Sequence, residues 1–412
     1  MIASFVVLFA LGLEPALAAG DQGHFTRSGL DPSAPPRTTV LDPAAPMGGQ
    51  LHLLWSLDLP GVPPPTASRT ETAAPATWGD RLYVAHAGYH GLIVLDRRDG
   101  DLLQLLPSRG PVRAGAVVGA DGVFFADGAG YVWRYGHDGT LSWERYVDAP
   151  VLATVTRDKD VVYVANVEDQ VYALDAGAGT LRWRHAHPLD AARRAPLTLY
   201  GAPPAVLFQK EILAGFSDGF LVALDAATGE PRWQAQVGEG AYPDLIAPVV
   251  PSAGGLLVGG YSEPLVSLDP GNLTQRWRLD VGSAAPMRVD GEIALHSGID
   301  GKLRRLNTRT GELLWTWDSK TSGTLTTAVP TGIGLLVGGS ESTLYVIDPE
   351  SGAQKWHFYP DYLLSGITAA PAVSGEMAYA VSNAGTVYAF RARAPQRPEP
   401  DPPWAGPRDR LP

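Results

Sequence analysis

Apolar and polar positions alternate in short runs along most of the chain, and the runs recur in a fixed order. "VYVAN" and "VYAL" are followed by an Asp, a Gly-containing turn and "LRWRH", within the phrase "VYALDAGAGTLRWRH" from Val171 to His185. About fifty residues later the chain writes "LVALDAATGEPRWQA". Runs of this length with period-two alternation predict strands, and two strands joined by a short Gly turn predict a hairpin. Before each hairpin lie two more runs. "APVLATVTRDKDVVYVANVEDQVYALD" (Ala149 to Asp175) divides into three strands at Asp158-Lys159-Asp160 and Glu168-Asp169. With the Trp-bearing strand that makes four per repeat. Helical periodicity over several turns is absent outside the first residues.

Alignment on the Trp gives the architecture. Trp55, Trp143, Trp183, Trp233, Trp277, Trp315 and Trp356 fill one slot, which Gln104 fills in one further repeat. Eight residues before the slot stand Asp96, Tyr135, Asp175, Asp225, Asp269, Asn307 and Asp348. An Asp or Asn there can bond its own backbone two residues on and open a turn. Gly100, Gly139, Gly179, Gly229, Gly311 and Gly352 follow in the turn, where Leu273 alone breaks the column. The constant spacing of eight residues predicts an unchanging link between strands three and four. Four antiparallel strands at a period of about forty residues predict a β-propeller. Eight third-strand ends and eight fourth-strand slots predict an all-β, eight-bladed β-propeller of four-stranded antiparallel blades. The chain starts on a fourth strand and stops on a third, so "LHLLWSLDL" completes the last blade and the ring is closed by the N-terminal strand, which removes a free sheet edge. A residue in seven of eight equivalent slots reads as structural, and the seven Trp are assigned to docking blade on blade. Gln104 predicts one weaker junction.

Residues 1–19 read as a signal peptide. Ile2 to Leu13 is too short an apolar run to span a bilayer, and Ala16-Leu17-Ala18 fits a cleavage pattern, although no Lys or Arg precedes the run. The expected location is periplasmic or secreted, with no transmembrane segment. Residues 20–50 and 394–412 are Pro-rich and read as a flexible segment and a disordered tail around a propeller at 51–393.

Charge and composition narrow the chemistry. The balance of 32 basic and 43 acidic residues gives −11, which repels phosphate backbones, so no nucleic-acid partner is expected. There is no cysteine, hence no disulfide, thiol catalysis or lipid-modified N-terminal Cys. Gly215 to Gly219 fits G-x-S-x-G, but a strand follows where a nucleophile elbow needs a helix. His86 with His90, and His185 with His187, are two pairs without a visible third metal ligand. No catalytic residue, cofactor or metal site is assigned.

"VYALDAGAGTLRW", "LVALDAATGEPRW" and "LYVIDPESGAQKW" resemble the pyrroloquinoline-quinone (PQQ) repeat over about Leu51 to Arg391. That family contains quinoprotein dehydrogenases and non-enzymatic propellers. Many of the former carry a disulfide between adjacent cysteines, which this chain cannot form. Chain length, export and the lack of a catalytic motif match the non-enzymatic, BamB-like branch. The resemblance implies a protein-interaction scaffold in outer-membrane β-barrel assembly, with protein partners from the envelope. That branch is usually lipid-anchored through an N-terminal Cys, which is missing here. A PQQ-dependent oxidoreductase and a secreted carbohydrate- or ligand-binding propeller are the alternatives.

Spacing from each slot to the next strand-three end varies, which places variability on one face of the ring, where binding residues are expected. Three stretches there supply Arg193, Arg194 and Tyr200, then Tyr242, then Phe358, Tyr359, Tyr362 and Leu363. Aromatic and Arg side chains of this kind are the usual anchors of protein interfaces.

Overall fold

The computed structural model describes residues 51–59, 73–86, 88–188, 203–238, 243–245, 247–283, 285–341, 343–360 and 365–392. They form eight four-stranded antiparallel sheets. Blades 1 to 7 open at Ala76, Val117, Thr156, Val206, Val250, Arg288 and Val329, and blade 8 opens at Ala372. Each blade runs from a three-residue inner strand to an outer strand that carries the docking slot. The three runs expected in the third blade are the strands Thr156–Asp158, Val161–Asn166 and Gln170–Asp175. Blade 8 takes its outer strand from the start of the chain. Leu51–Asp58 pairs antiparallel with Thr386–Ala392, from Leu51 opposite Ala392 to Asp58 opposite Thr386. Thr386 Oγ1 also donates to Asp58 Oδ1 at 2.8 Å. Among the described residues no helix is long and apolar enough to cross a membrane.

The core is divided. Eight apolar clusters lie one at each junction, each built from two neighbouring sheets. The slot Trp belongs to these clusters, as its recurrence predicts. Trp183 joins blade 3 to blade 4 with Ile212, Val222 and Leu224. Its indole lies on the Gly of the next blade's turn: a Cβ on Gly229 would come within 2.5 Å of the Trp183 ring. Gly179 under Trp143, Gly311 under Trp277 and Gly352 under Trp315 repeat the arrangement. The turn itself needs φ between 67° and 85° at Gly100, Gly139, Gly179, Gly229, Gly311 and Gly352, so two constraints hold one residue type.

The turn chemistry repeats too. Asp175 Oδ1 accepts from the backbone N–H of Gly177 and Ala178, and Trp143 Nε1 donates to the Ala176 carbonyl at 3.0 Å. Trp183, Trp277 and Trp315 donate likewise to Ala226, Thr308 and Pro349. Leu273 occupies the Gly slot with φ 61°, and there the pattern yields: Trp233 Nε1 goes to Glu211 Oε2 at 3.1 Å instead. The link is not constant throughout. Tyr135 pairs with Leu141, whereas its counterpart Leu174 pairs with Leu181, so the blade 2 link is one residue shorter. At the Gln104 slot the side chain still covers the Gly of the next turn, Gly139, and accepts from Arg81 Nη1 at 3.1 Å. Trp78 and His137 stack at that same junction, 5.8 Å apart and 9° from parallel, and His137 Nδ1 bonds the Tyr83 hydroxyl at 2.8 Å. An aromatic pair and a polar bridge therefore fill the place of the missing indole.

Candidate interaction face

In an up-and-down blade the turns between strands two and three share one face with the links between blades. The link from Ala186 to Val206 is long and that from Leu279 to Arg288 is short, so this face varies while the opposite one repeats. Of the expected anchors, Arg193, Arg194, Tyr200, Tyr242, Tyr362 and Leu363 lie outside the described residues, as do residues 1–50 and 393–412. Phe358 and Tyr359 are described, and they part company. Phe358 is 3% exposed and packs edge-on against Tyr388 and Phe390 in the blade 7–8 cluster. It is a core residue, which corrects its selection as a surface anchor: it lies inside the outer strand Gln354–Phe358, facing the next blade two places after Trp356. Tyr359, just beyond the strand, is 62% exposed and meets His357 edge-on at 5.0 Å.

Polar side chains set the turns beneath this face. Asp127 is fully buried and accepts from the backbone N–H of Arg109, Gly110, Ala129 and Tyr131 and from Trp133 Nε1. Asn166 holds the equivalent turn in blade 3 by accepting from Glu168 and Gln170 and donating to the Val147 carbonyl. Between blades 3 and 4, Asp169 accepts from the N–H and hydroxyl of Ser217, and His187 Nε2 meets Asp218 Oδ2 at 3.0 Å. The His187 ring stacks on Phe216 at 4.2 Å. Burial pushes the Asp169 carboxyl above the usual carboxylate range, against the pull of the Ser217 bonds. This network fixes the strand end from which residues 189–202 depart.

Neither histidine pair gains a third ligand among the described residues. His86 is buried and accepts from the Gly88 N–H, whereas His90 is exposed. His185 and His187 do face one side, both against Phe216, but His187 is engaged by Asp218. Among the described residues no three His, Cys, Asp or Glu converge on a point where an ion could sit.

Residues that the sequence reading passed over also reach this face. Arg109 lies 4.8 Å from the Tyr131 ring centre and forms a two-pronged pair with Glu144, at 2.5 and 3.2 Å. Tyr146, 51% exposed, packs against Tyr131 at 5.1 Å. Tyr146 and Tyr359 both stand three residues after the docking Trp of their blades, Trp143 and Trp356. That shared position is the signal that would have singled them out.

The family model described as outer membrane protein assembly factor BamB matches residues 104–299 and 299–397. The chain belongs to that family. The BamB of Burkholderia pseudomallei is 26% identical over 336 residues, which cover 78% of this chain and 84% of that protein. The BamB of Yersinia pestis is 27% identical over 264 residues, 62% of this chain and 65% of that protein. The crystal structure of BamB from Moraxella catarrhalis superposes with a TM-score of 0.68 at 20% identity, covering 83% of this chain and 99% of that one. A quinohemoprotein alcohol dehydrogenase from Pseudomonas putida shares the fold at TM-score 0.63 and 14% identity, covering 86% of this chain and 78% of that one. Asp175, Asp225, Asp269 and Asp348 at the strand-three ends do not fit a quinone and its metal, because their oxygens are taken by turn N–H groups and by Arg or Lys. Asp225 accepts from Ala227, Thr228 and Arg232, and the Arg232 bond above all holds its carboxyl down to about 2.

Proposed function

We propose that this chain is a non-catalytic propeller that serves as a protein-interaction scaffold in the assembly of outer-membrane β-barrel proteins. It is carried into the periplasm by a cleaved signal peptide at residues 1–19. The observation that carries the reading is the BamB family match over most of the ring. The site would be the variable face. Exposed Tyr146 and Tyr359 and the Arg109–Tyr131–Glu144 group stand on a rigid frame there, joined by Arg193, Arg194, Tyr200, Tyr242, Tyr362 and Leu363. Crosslinking in the native envelope followed by mass spectrometry tests it. Recovery of β-barrel assembly components is expected, and their absence from repeated captures would sink the proposal.

The dehydrogenase likeness rests on fold alone. Dye-linked alcohol oxidation after loading with quinone and calcium separates the two classes: the scaffold reading expects none. Binding on a glycan array would favour a carbohydrate-binding propeller instead.

A further inference from the structure

The outer strand of every blade is a sheet edge, and an edge strand can recruit another strand unless something prevents it. Here prevention has a repeated form. The residue before the docking slot is bypassed in the pairing, as a bulge, in all eight blades. In four blades that bulged residue is Arg182, Arg232, Arg276 or Lys355. Each reaches the Asp that opens the preceding turn: Arg182 to Asp175 at 2.7 Å, Lys355 to Asp348 at 2.6 Å, Arg232 to Asp225 and Arg276 to Asp269. A bulge bearing a charge twists the edge and makes it costly to cover.

Blade 1 keeps the bulge and Asp96 but not the charge. Its bulged residue is Leu103, 48% exposed, beside Leu102 at 39%. Its outer strand, Leu102–Pro107 (LLQLLP), is the one outer strand of the eight without an Asp, Glu, Lys, Arg or His. Leu314 in blade 6 also replaces the base, but that strand ends on Asp318, which Lys302 and Lys320 engage. Leu105, Leu54, Leu57 and Tyr89 are all half-buried against the cluster that closes blade 8 on blade 1.

We propose that this edge docks an extended, uncharged polypeptide segment with alternating apolar residues, added beside Leu102–Leu106 as a further strand. A row of backbone donors and acceptors is satisfied by another backbone, and the alternating side chains of a strand would meet Leu103 and Leu105. A charged segment would lose water there with no counter-ion on the strand. Strands of outer-membrane barrels have this uncharged alternation on their lipid side, so the proposal rests on the functional reading above.

The probe is an end-blocked, fluorophore-labelled peptide of alternating Val and Thr, titrated against the full chain by anisotropy. Leu103→Arg restores the basic residue opposite Asp96. It is expected to weaken binding about tenfold or more, while Ser142→Arg, at the matching bulge of blade 2, changes it less than about twofold. Equal binding by Leu103→Arg, or no binding by the unaltered protein, overturns the proposal. The chain has no cysteine, which permits a second measurement should Leu103→Arg fail to fold. With Leu103→Cys and peptides carrying one Cys at successive positions, disulfide yield should alternate with a period of two. A flat yield refutes strand addition. A dimer of the chain that Leu103→Arg dissolves, without peptide binding, assigns the edge to a second copy and also overturns it. If the unaltered chain captures assembly components but binds no peptide, the functional reading stands and only this edge is lost from it.

Discussion

Replacing Trp183 by Ala tests whether the docking Trp holds the ring together. The indole is 7% exposed, buries about 150–250 Å² by its size, and donates Nε1–H to the Ala226 carbonyl at 3.0 Å. At about 25 cal/mol per Å² the apolar term is at most roughly 4–6 kcal/mol, and the bond adds about 1 kcal/mol. Ala keeps part of the contact, and the cavity collapses onto Tyr163 only in part, so the expected loss is about 3–5 kcal/mol. Trp55 offers an internal comparison. It is equally buried, but its Nε1 has no hydrogen-bond acceptor. Trp183→Phe should therefore cost about 1 kcal/mol more than Trp55→Phe. The assay is urea unfolding followed by far-ultraviolet circular dichroism, with the slope checked for a single transition. A Trp183→Ala loss below about 1 kcal/mol would refute blade docking as the role of the slot.

The turn slot gives opposite signs at two positions. Gly179→Ala should cost about 2 kcal/mol or more, since its φ is 67° and the new Cβ would sit 2.6 Å from Trp143, whereas Leu273→Gly, at φ 61°, should be neutral or stabilising by up to about 1 kcal/mol in the same unfolding assay. His296 is buried against Ser283 Oγ at 3.1 Å, and burial, helped by Arg304, holds its pKa down to about 4. A depressed histidine makes the fold bind fewer protons than the unfolded chain. The associated stability is complete above about pH 6.5 and is lost between there and about pH 4, roughly 3 kcal/mol in all. His296→Gln should flatten that part of the pH–stability curve, and an unchanged slope would refute the assignment. Phe358→Ala should destabilise by about 3 kcal/mol, while Tyr359→Ala should leave unfolding unchanged and reduce crosslinking to partners; equal effects of both on stability would contradict the burial contrast.

Much of the ring was legible because repetition multiplies weak signals. One Asp–Gly–Trp phrase is only a hairpin, but seven related turns at a near-constant spacing, with an eighth slot at Trp55, fix blade number, strand count and the closing role of Leu51–Asp58. The Trp column was readable for the same reason. The site was not, because a binding face is where repeats stop agreeing, and spacing then gives position without orientation. Phe358 shows the limit: an aromatic next to Tyr359 looks like part of a surface cluster until strand alternation turns it inward against Phe390. Blade 2 shows another, since the spacing of eight from Tyr135 hid a link one residue shorter.

The basic residue before the docking slot stands in the sequence of four blades. Its meaning depends on two facts that only the fold supplies: that the position is a bulge on an edge, and that the opening Asp of the preceding turn lies within reach of it. Once Arg182, Arg232, Arg276 and Lys355 are seen to close onto their Asp partners, Leu103 becomes informative. Asp96 is retained in blade 1, so the loss of the base is not the loss of the whole device. Packing does not account for the change, because Leu103 is 48% exposed and an Arg would fit the same open space. A solvent-exposed Leu pair on an uncharged edge carries an aggregation liability and adds little to folding. Use of that edge by another strand is the explanation that accounts for both the exposure and the missing charge.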